Sequence, residues 1–123
     1  MTKAKILVVD DDAGTRVILG TRLKKLGYLV LYAADSYQAI SMARQEAPQA
    51  ILLDLGLPGG NGFIVLERLK AITTLADIPV IVVSSQEAGD AEPRAIEAGA
   101  VLYLQKPVDQ EDMVSALHTA LLS

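Results

Sequence analysis

The amino-acid sequence predicts an α/β protein built on a doubly wound, five-stranded parallel sheet with five helices. Short apolar runs alternate with segments of helical periodicity five times over. The runs are continuous rather than alternating in polarity, as expected of parallel strands covered on both faces. No repeat, linker or low-complexity stretch interrupts the alternation, so residues 1–123 read as one domain.

Each element has its own signal. Ile6 to Val9 is a β-branched run that stops at Asp10, Asp11 and Asp12. Val17, Leu19, Leu23 and Leu26 recur near helical spacing, and Gly27 closes that helix. Tyr28 to Ala33 is the second strand. Asp35 or Ser36 caps a helix through Ala39, Ile40 and Ala43, which Pro48 ends. Ala50 to Leu53 is the third strand, ending on Asp54, and the turn formers from Gly56 through Pro58, Gly59, Gly60 and Asn61 to Gly62 make a loop. Ile64, Leu66, Leu69 and Ile72 give the third helix. Pro79 introduces Val80 to Val83, followed by Ser84 and Ser85. A short helix around Arg94 to Ala98 is expected to start at Pro93 and stop at Gly99. Val101 to Leu104 runs into Gln105, Lys106 and Pro107, and Asp109 caps a last helix bearing Met113, Val114, Leu117 and Leu121.

Composition removes several classes of function. Fifteen acidic residues outweigh eleven basic ones, a net charge of −4, so there is no electrostatic footprint for nucleic acid. The absence of cysteine excludes disulfides, thiolate metal sites and cysteine nucleophiles. The start is too short for a signal peptide, and nothing approaches the ~18 apolar residues of a membrane span. These features lead us to expect a soluble cytoplasmic domain.

In a doubly wound sheet, polar groups that follow the carboxyl ends of strands gather at one edge. Here they are Asp10 and Asp11, Asp54, Ser84 and Lys106. If the first and third strands are neighbours, three carboxylates meet and repel unless a cation sits among them. The ligands are all oxygen, which suits a hard ion such as Mg²⁺, and Mg²⁺ leaves coordination positions for water and phosphate. A carboxylate beside that ion can act as a nucleophile and form an aspartyl phosphate. The Lys106 ammonium and the Ser84 hydroxyl would neutralise or bond other phosphoryl oxygens. Proline after Lys106 restricts the lysine backbone and helps to aim it.

These residues carry a resemblance. The Asp10-Asp11 pair after Ile6-Leu7-Val8-Val9, the loop from Asp54 to Gly59, Ser84 after the fourth run, and Lys106-Pro107 closely resemble response-regulator receiver domains in order and spacing over essentially the whole chain. The resemblance implies a flavodoxin-like sheet of order 2-1-3-4-5. It implies that Asp10, Asp11, Asp54 and the Gly56 carbonyl hold Mg²⁺, and that Asp54 takes a phosphoryl group from the phosphohistidine of a sensor histidine kinase or phosphotransfer protein. Lys106 would bridge to the phosphoryl group, and Ser84 and Tyr103 would form a switch pair. That pair would remodel the face of the fourth helix, fifth strand and fifth helix for an output domain or downstream protein. The chain would then be a phosphorelay acceptor that catalyses its own phosphorylation and dephosphorylation, not an enzyme for a separate substrate. Gly56, Ser85, Asn61 and Val108 depart from the residues commonly found at those places, which leaves the phosphate lifetime open.

Each residue has a plainer alternative. The three consecutive aspartates could cap the first helix, Asp12 above all. Ser84 could be a strand-end hydroxyl, Lys106 a surface lysine and Tyr103 a packing residue. His118, without an acidic partner in sequence reach, reads as a solvated helix residue, and the Val114, Leu117, Leu121 stripe as core. Competing functions are a Mg²⁺-dependent phosphatase, an interaction domain independent of phosphorylation, and a nucleotide or flavin binder. The phosphatase lacks a second carboxylate close after Asp54, and the binder would want a phosphate-cradling loop where three aspartates stand. A homodimer through the last strand and helix is compatible with the sequence but has no particular residue behind it.

Overall fold

The computed structural model describes residues 3–57, 61–85 and 88–122. Strands β1 (Lys5–Val9), β2 (Leu29–Ala33), β3 (Ala50–Leu53), β4 (Val80–Ser84) and β5 (Leu102–Gln105) form one parallel sheet of order β2-β1-β3-β4-β5. They alternate with α1 (Ala13–Lys25), α2 (Ser36–Glu46), α3 (Asn61–Ala71), α4 (Ala88–Glu97) and α5 (Gln110–Leu122). Fold class and strand order agree with the expectation from sequence. Among the described residues no helix is long and apolar enough to cross a membrane.

The period of two in each strand sorts side chains onto two cores. Leu7, Val9, Ile51, Leu53, Val80 and Val82 meet α2, α3 and α4 through Ala39, Ala43, Val65, Leu66, Leu69 and Ala95. Ile6, Val8, Leu52, Ile81 and Val83 face the other way, onto Leu19 and Leu23 of α1 and Met113, Ala116, Leu117 and Ala120 of α5. Burying each large aliphatic side chain stabilises the fold by about 1.5–3 kcal/mol. Complete burial of β3 on both faces explains its unbroken apolar run.

Local expectations failed where helix faces had to be assigned. Val17, Ile18 and Leu26 are exposed, leaving Leu19 and Leu23 as the buried side of α1. Val114 is also exposed, and the small residues Ala116 and Ala120 take its place in the core. Asn61 and Gly62 belong to α3 rather than to the loop before it; Pro58, Gly59 and Gly60 lie outside the described residues. Ile64 stands on the outside of α3 while its neighbour Val65 packs inward. Helix α4 starts before Pro93, which lies inside it. A proline ring collides with the carbonyl four residues back in a regular helix. That residue is Gly89, whose non-helical geometry (φ 13°, ψ −115°) turns the carbonyl aside.

Candidate functional site

Register brings the acidic residues together before any side chain is considered. Val9 pairs with Leu53, so Asp10 and Asp54 leave adjacent strands at the same level. Their backbones stay in the ladder: Asp54 N–H donates to the Val9 carbonyl (2.9 Å) and Asp10 N–H to the Ala33 carbonyl (3.1 Å). Lys106 is fixed likewise, its N–H donating to the Ser84 carbonyl at 2.7 Å. The Lys106–Pro107 peptide bond is cis.

Carboxylate oxygens of Asp10, Asp11 and Asp54 lie within 4.8 Å of one another. Asp10 and Asp54 are buried and Asp11 is exposed, so the cluster opens to solvent on one side. The Lys106 ammonium stands 2.8 Å from Asp10 Oδ2 and 3.7 Å from Asp54 Oδ2. Asp10 Oδ1 accepts the Asp12 N–H at 2.9 Å, and Asp54 Oδ1 accepts the Gly56 N–H at 3.1 Å. Burial pushes the Asp54 carboxyl above the usual aspartate range. The Gly56 N–H and Lys106 oppose that rise, and the charges of Asp10 and Asp11 add to it. The repulsion expected from sequence is therefore present, with loss of water as the larger cause. Three oxygen donors with an open side fit a small hard cation such as Mg²⁺, which keeps several waters when it binds.

Ser84 is buried at the end of β4. Val82 pairs with Tyr103, so Ser84 and Tyr103 project from the same face of the sheet as diagonal neighbours on adjacent strands. Tyr103 is half-buried against the core under α3 and α4. Gly56 is exposed, and a Cβ there would lie 3.6 Å from both Asp54 carboxylate oxygens. Asp12 is the helix cap: Oδ2 accepts from the Thr15 N–H and hydroxyl, both at 2.8 Å, which holds its carboxyl below the usual range. Val108 fills the core on the α1 side, and His118 is exposed on α5. The side chain of Asn61 lies outside the described residues.

Three supporting residues went unseen in the sequence. Arg16 donates to the Asp10 carbonyl at 2.7 Å, tying α1 to the acidic edge. Arg22 donates to the Val108 carbonyl at 2.7 Å and fastens the segment after Lys106. Neither pairing has a local signal. Gly62 had one, since glycine permits close approach of backbones. Its N–H donates to the Leu55 carbonyl at 2.8 Å, and a Cβ would collide with the Asp54 carbonyl and Leu55 Cα. Its place is thus the contact of α3 with the chain just past Asp54. Beside the cluster lies a depression of about 350 Å³ whose lining includes Ile18, Arg22, Lys106 and Pro107.

The fold and the acid-lined carboxyl edge together define a class, the receiver-type α/β signalling domains. The chain belongs to the response regulator receiver domain family, which it matches over residues 6–118, and is a receiver domain of the two-component kind. It is 35% identical to Protein PilH of Pseudomonas aeruginosa, covering 96% of this chain and 98% of that one. It is 34% identical to sporulation initiation phosphotransferase F of Bacillus subtilis, over 95% of this chain and 93% of the relative. A solved structure, the receiver domain of sensor histidine kinase PA1611 from Pseudomonas aeruginosa with magnesium in its active-site cleft, superposes with a TM-score of 0.91 at 26% identity. That match covers 99% of this chain and all of the other. The chain spans about half the length of other curated relatives, transcriptional regulators among them.

Proposed function

We propose that Asp54 is the phospho-acceptor and that Asp10, Asp11 and Asp54, with the Gly56 carbonyl, hold Mg²⁺. One observation carries the reading: the Asp54 carboxylate shares a solvent-open edge with two further carboxylates within 4.8 Å and with the Lys106 ammonium at 3.7 Å. Bound there, the ion supplies positive charge for phosphoryl oxygens. An Asp54 oxygen attacks phosphorus, the phosphorus–nitrogen bond of a donor phosphohistidine breaks, and the imidazole nitrogen keeps the electron pair and takes up a proton. Lys106 neutralises an equatorial oxygen, and the Ser84 hydroxyl donates to another. Movement of that hydroxyl leaves room for the Tyr103 ring on the same face of the sheet. Phosphorylation then changes the surface of α4, β5 and α5, which an output domain or separate target reads.

The donor is a histidine kinase or phosphotransfer protein. To reach Asp54 it must cover the surrounding edge, where Val17 and Ile18 of α1 offer exposed apolar surface. Residues 1–123 act as one receiver unit, which works on itself rather than turning over a separate substrate.

Incubation with Mg²⁺ and a small phosphodonor, read by intact-protein mass spectrometry, tests the assignment. One phosphoryl group is expected on the wild type and none on Asp54→Ala. Chelation of Mg²⁺ should abolish labelling. Unchanged labelling of Asp54→Ala would move the acceptor elsewhere, and no labelling of the wild type with Mg²⁺ present would leave an interaction domain only.

A further inference from the structure

A groove of about 370 Å³ runs between α2 and α3, lined by Tyr37, Ile40, Ser41, Arg44, Arg68 and Ile72. The first four share one stripe of α2. Tyr37 is 82% exposed, whereas Ile40 and Ile72 are half-buried and make the floor apolar. Both charged residues in the groove are cationic, in a chain of net charge −4. Neither Arg44 nor Arg68 enters a salt bridge among the described residues. Each lies in the last turn of its helix, where a cation suits the carbonyl end. Helix-end electrostatics do not account for the open aromatic ring and the two isoleucines between them.

We propose that this groove docks an acidic amphipathic segment of a partner protein. Its apolar side chains would pack on Tyr37, Ile40 and Ile72, and its carboxylates would meet Arg44 and Arg68. Charge complementarity selects that occupant. An exposed tyrosine and two arginines outside the salt bridges of the described residues, around an apolar floor, have the composition of protein–protein hot spots. An anionic membrane would call for a broader basic face than two arginines provide. The groove is separate from the phosphoryl site, so docking there does not depend on the assignment of Asp54.

The test is a nuclear magnetic resonance titration of the ¹⁵N-labelled domain with a synthetic amphipathic peptide of about 15 residues. One face carries leucine and the other glutamate; a control peptide carries lysine in place of glutamate. The glutamate peptide should shift amides within 37–44 and 68–72, more weakly as salt is added, while the lysine peptide leaves them unmoved. The double reversal Arg44→Glu/Arg68→Glu should weaken the glutamate peptide about tenfold and admit the lysine peptide. Arg44→Gln should give an intermediate loss, and an unchanged thermal transition confirms that the exposed substitutions leave the fold intact. Shifts elsewhere, no shifts, or an equal response to both peptides would overturn the proposal. Concentration-dependent shifts of the same amides without peptide would overturn it in favour of a second copy. Binding to phosphatidylglycerol vesicles but not to the peptide would overturn it in favour of a membrane surface.

Discussion

Two partly buried lysines stand at opposite edges of the sheet and do opposite things with the same charge. Lys70, near the end of α3, donates to the carbonyls of Ala76 and Ile78, both at 3.0 Å, and fixes the chain that leads into β4. Its partners are neutral; burial lowers its pKa, and Asp77 only partly opposes that. Lys106, past β5, meets the carboxylates of Asp10 and Asp54. A cation on carbonyls is a fastener. A cation held between carboxylates, one of them at an edge open to solvent, supplies charge where a reacting anion would arrive. The environment of the ammonium, more than its burial, separates structure from chemistry.

Lys106→Met should produce the largest effect. Mg²⁺-dependent labelling of Asp54 should slow by about 100-fold, the scale for removing one charge-stabilising donor. The same change leaves buried Asp10 without its 2.8 Å partner, so stability without metal should fall by about 2 kcal/mol. Added Mg²⁺ should restore much of that stability but not the rate. The two measurements are mass-spectrometric labelling kinetics and thermal denaturation with and without Mg²⁺. A variant labelled at the wild-type rate would make Lys106 a fastener like Lys70.

How far the comparison was legible in the sequence follows from the same residues. Asp10, Asp11, Asp54, Ser84 and Lys106 could be placed because each stands at or just beyond the end of an apolar run, and parallel strands bring such ends to one edge. Lys70 could not be placed. Its position in a helix says nothing of which carbonyls its flexible stem will reach, and the same holds for Arg16 and Arg22. Helix faces were legible only where neighbours compete little. Val17 and Val114 lost their core positions because α1 and α5 approach the sheet through other side chains, including Ala116 and Ala120. Gly62 read as a turn former because close approach and positive φ leave the same letter in a sequence. Pro93 misled for a related reason: the break it requires is supplied earlier, at Gly89.

Lys70→Met keeps the apolar stem and removes the ammonium. Two carbonyls lose their donor, and stability should fall by about 1–2 kcal/mol, several degrees in thermal midpoint. Mg²⁺ should not repair the loss, and labelling of Asp54 should stay within about twofold of wild type. Gly99→Ala probes the stem of the same side chain. Gly99 has φ +114°, and a Cβ there would sit 2.7 Å from Lys70 Cγ. A loss of about 1 kcal/mol is expected. A double-mutant cycle with Lys70→Ala, which removes the stem carbons that the Cβ meets, should show coupling. Strict additivity would mean that the positive φ alone sets the cost.

The smallest effect should carry the opposite sign. The folded pKa of Asp54 is raised above its unfolded value, chiefly by burial, so the folded state holds the proton more tightly than the unfolded chain. Ionised Asp54 therefore costs stability in metal-free buffer. That cost is full above the folded pKa and fades as pH falls through it toward 3.8, the ordinary aspartate value. Asp54→Asn keeps an oxygen for the Gly56 N–H and removes the charge. At neutral pH without metal it should be more stable than wild type by less than about 1 kcal/mol, with the difference shrinking on acidification. Mg²⁺ should reverse the order, because the wild type binds it more tightly and gains stability by mass action, about 2.7 kcal/mol at a hundredfold excess over Kd. Thermal midpoints across pH, with and without Mg²⁺, measure both signs. A metal-free Asp54→Asn variant less stable than wild type at neutral pH would show that Lys106 and the Gly56 N–H outweigh burial at Asp54, making its carboxylate a structural anion like Asp12.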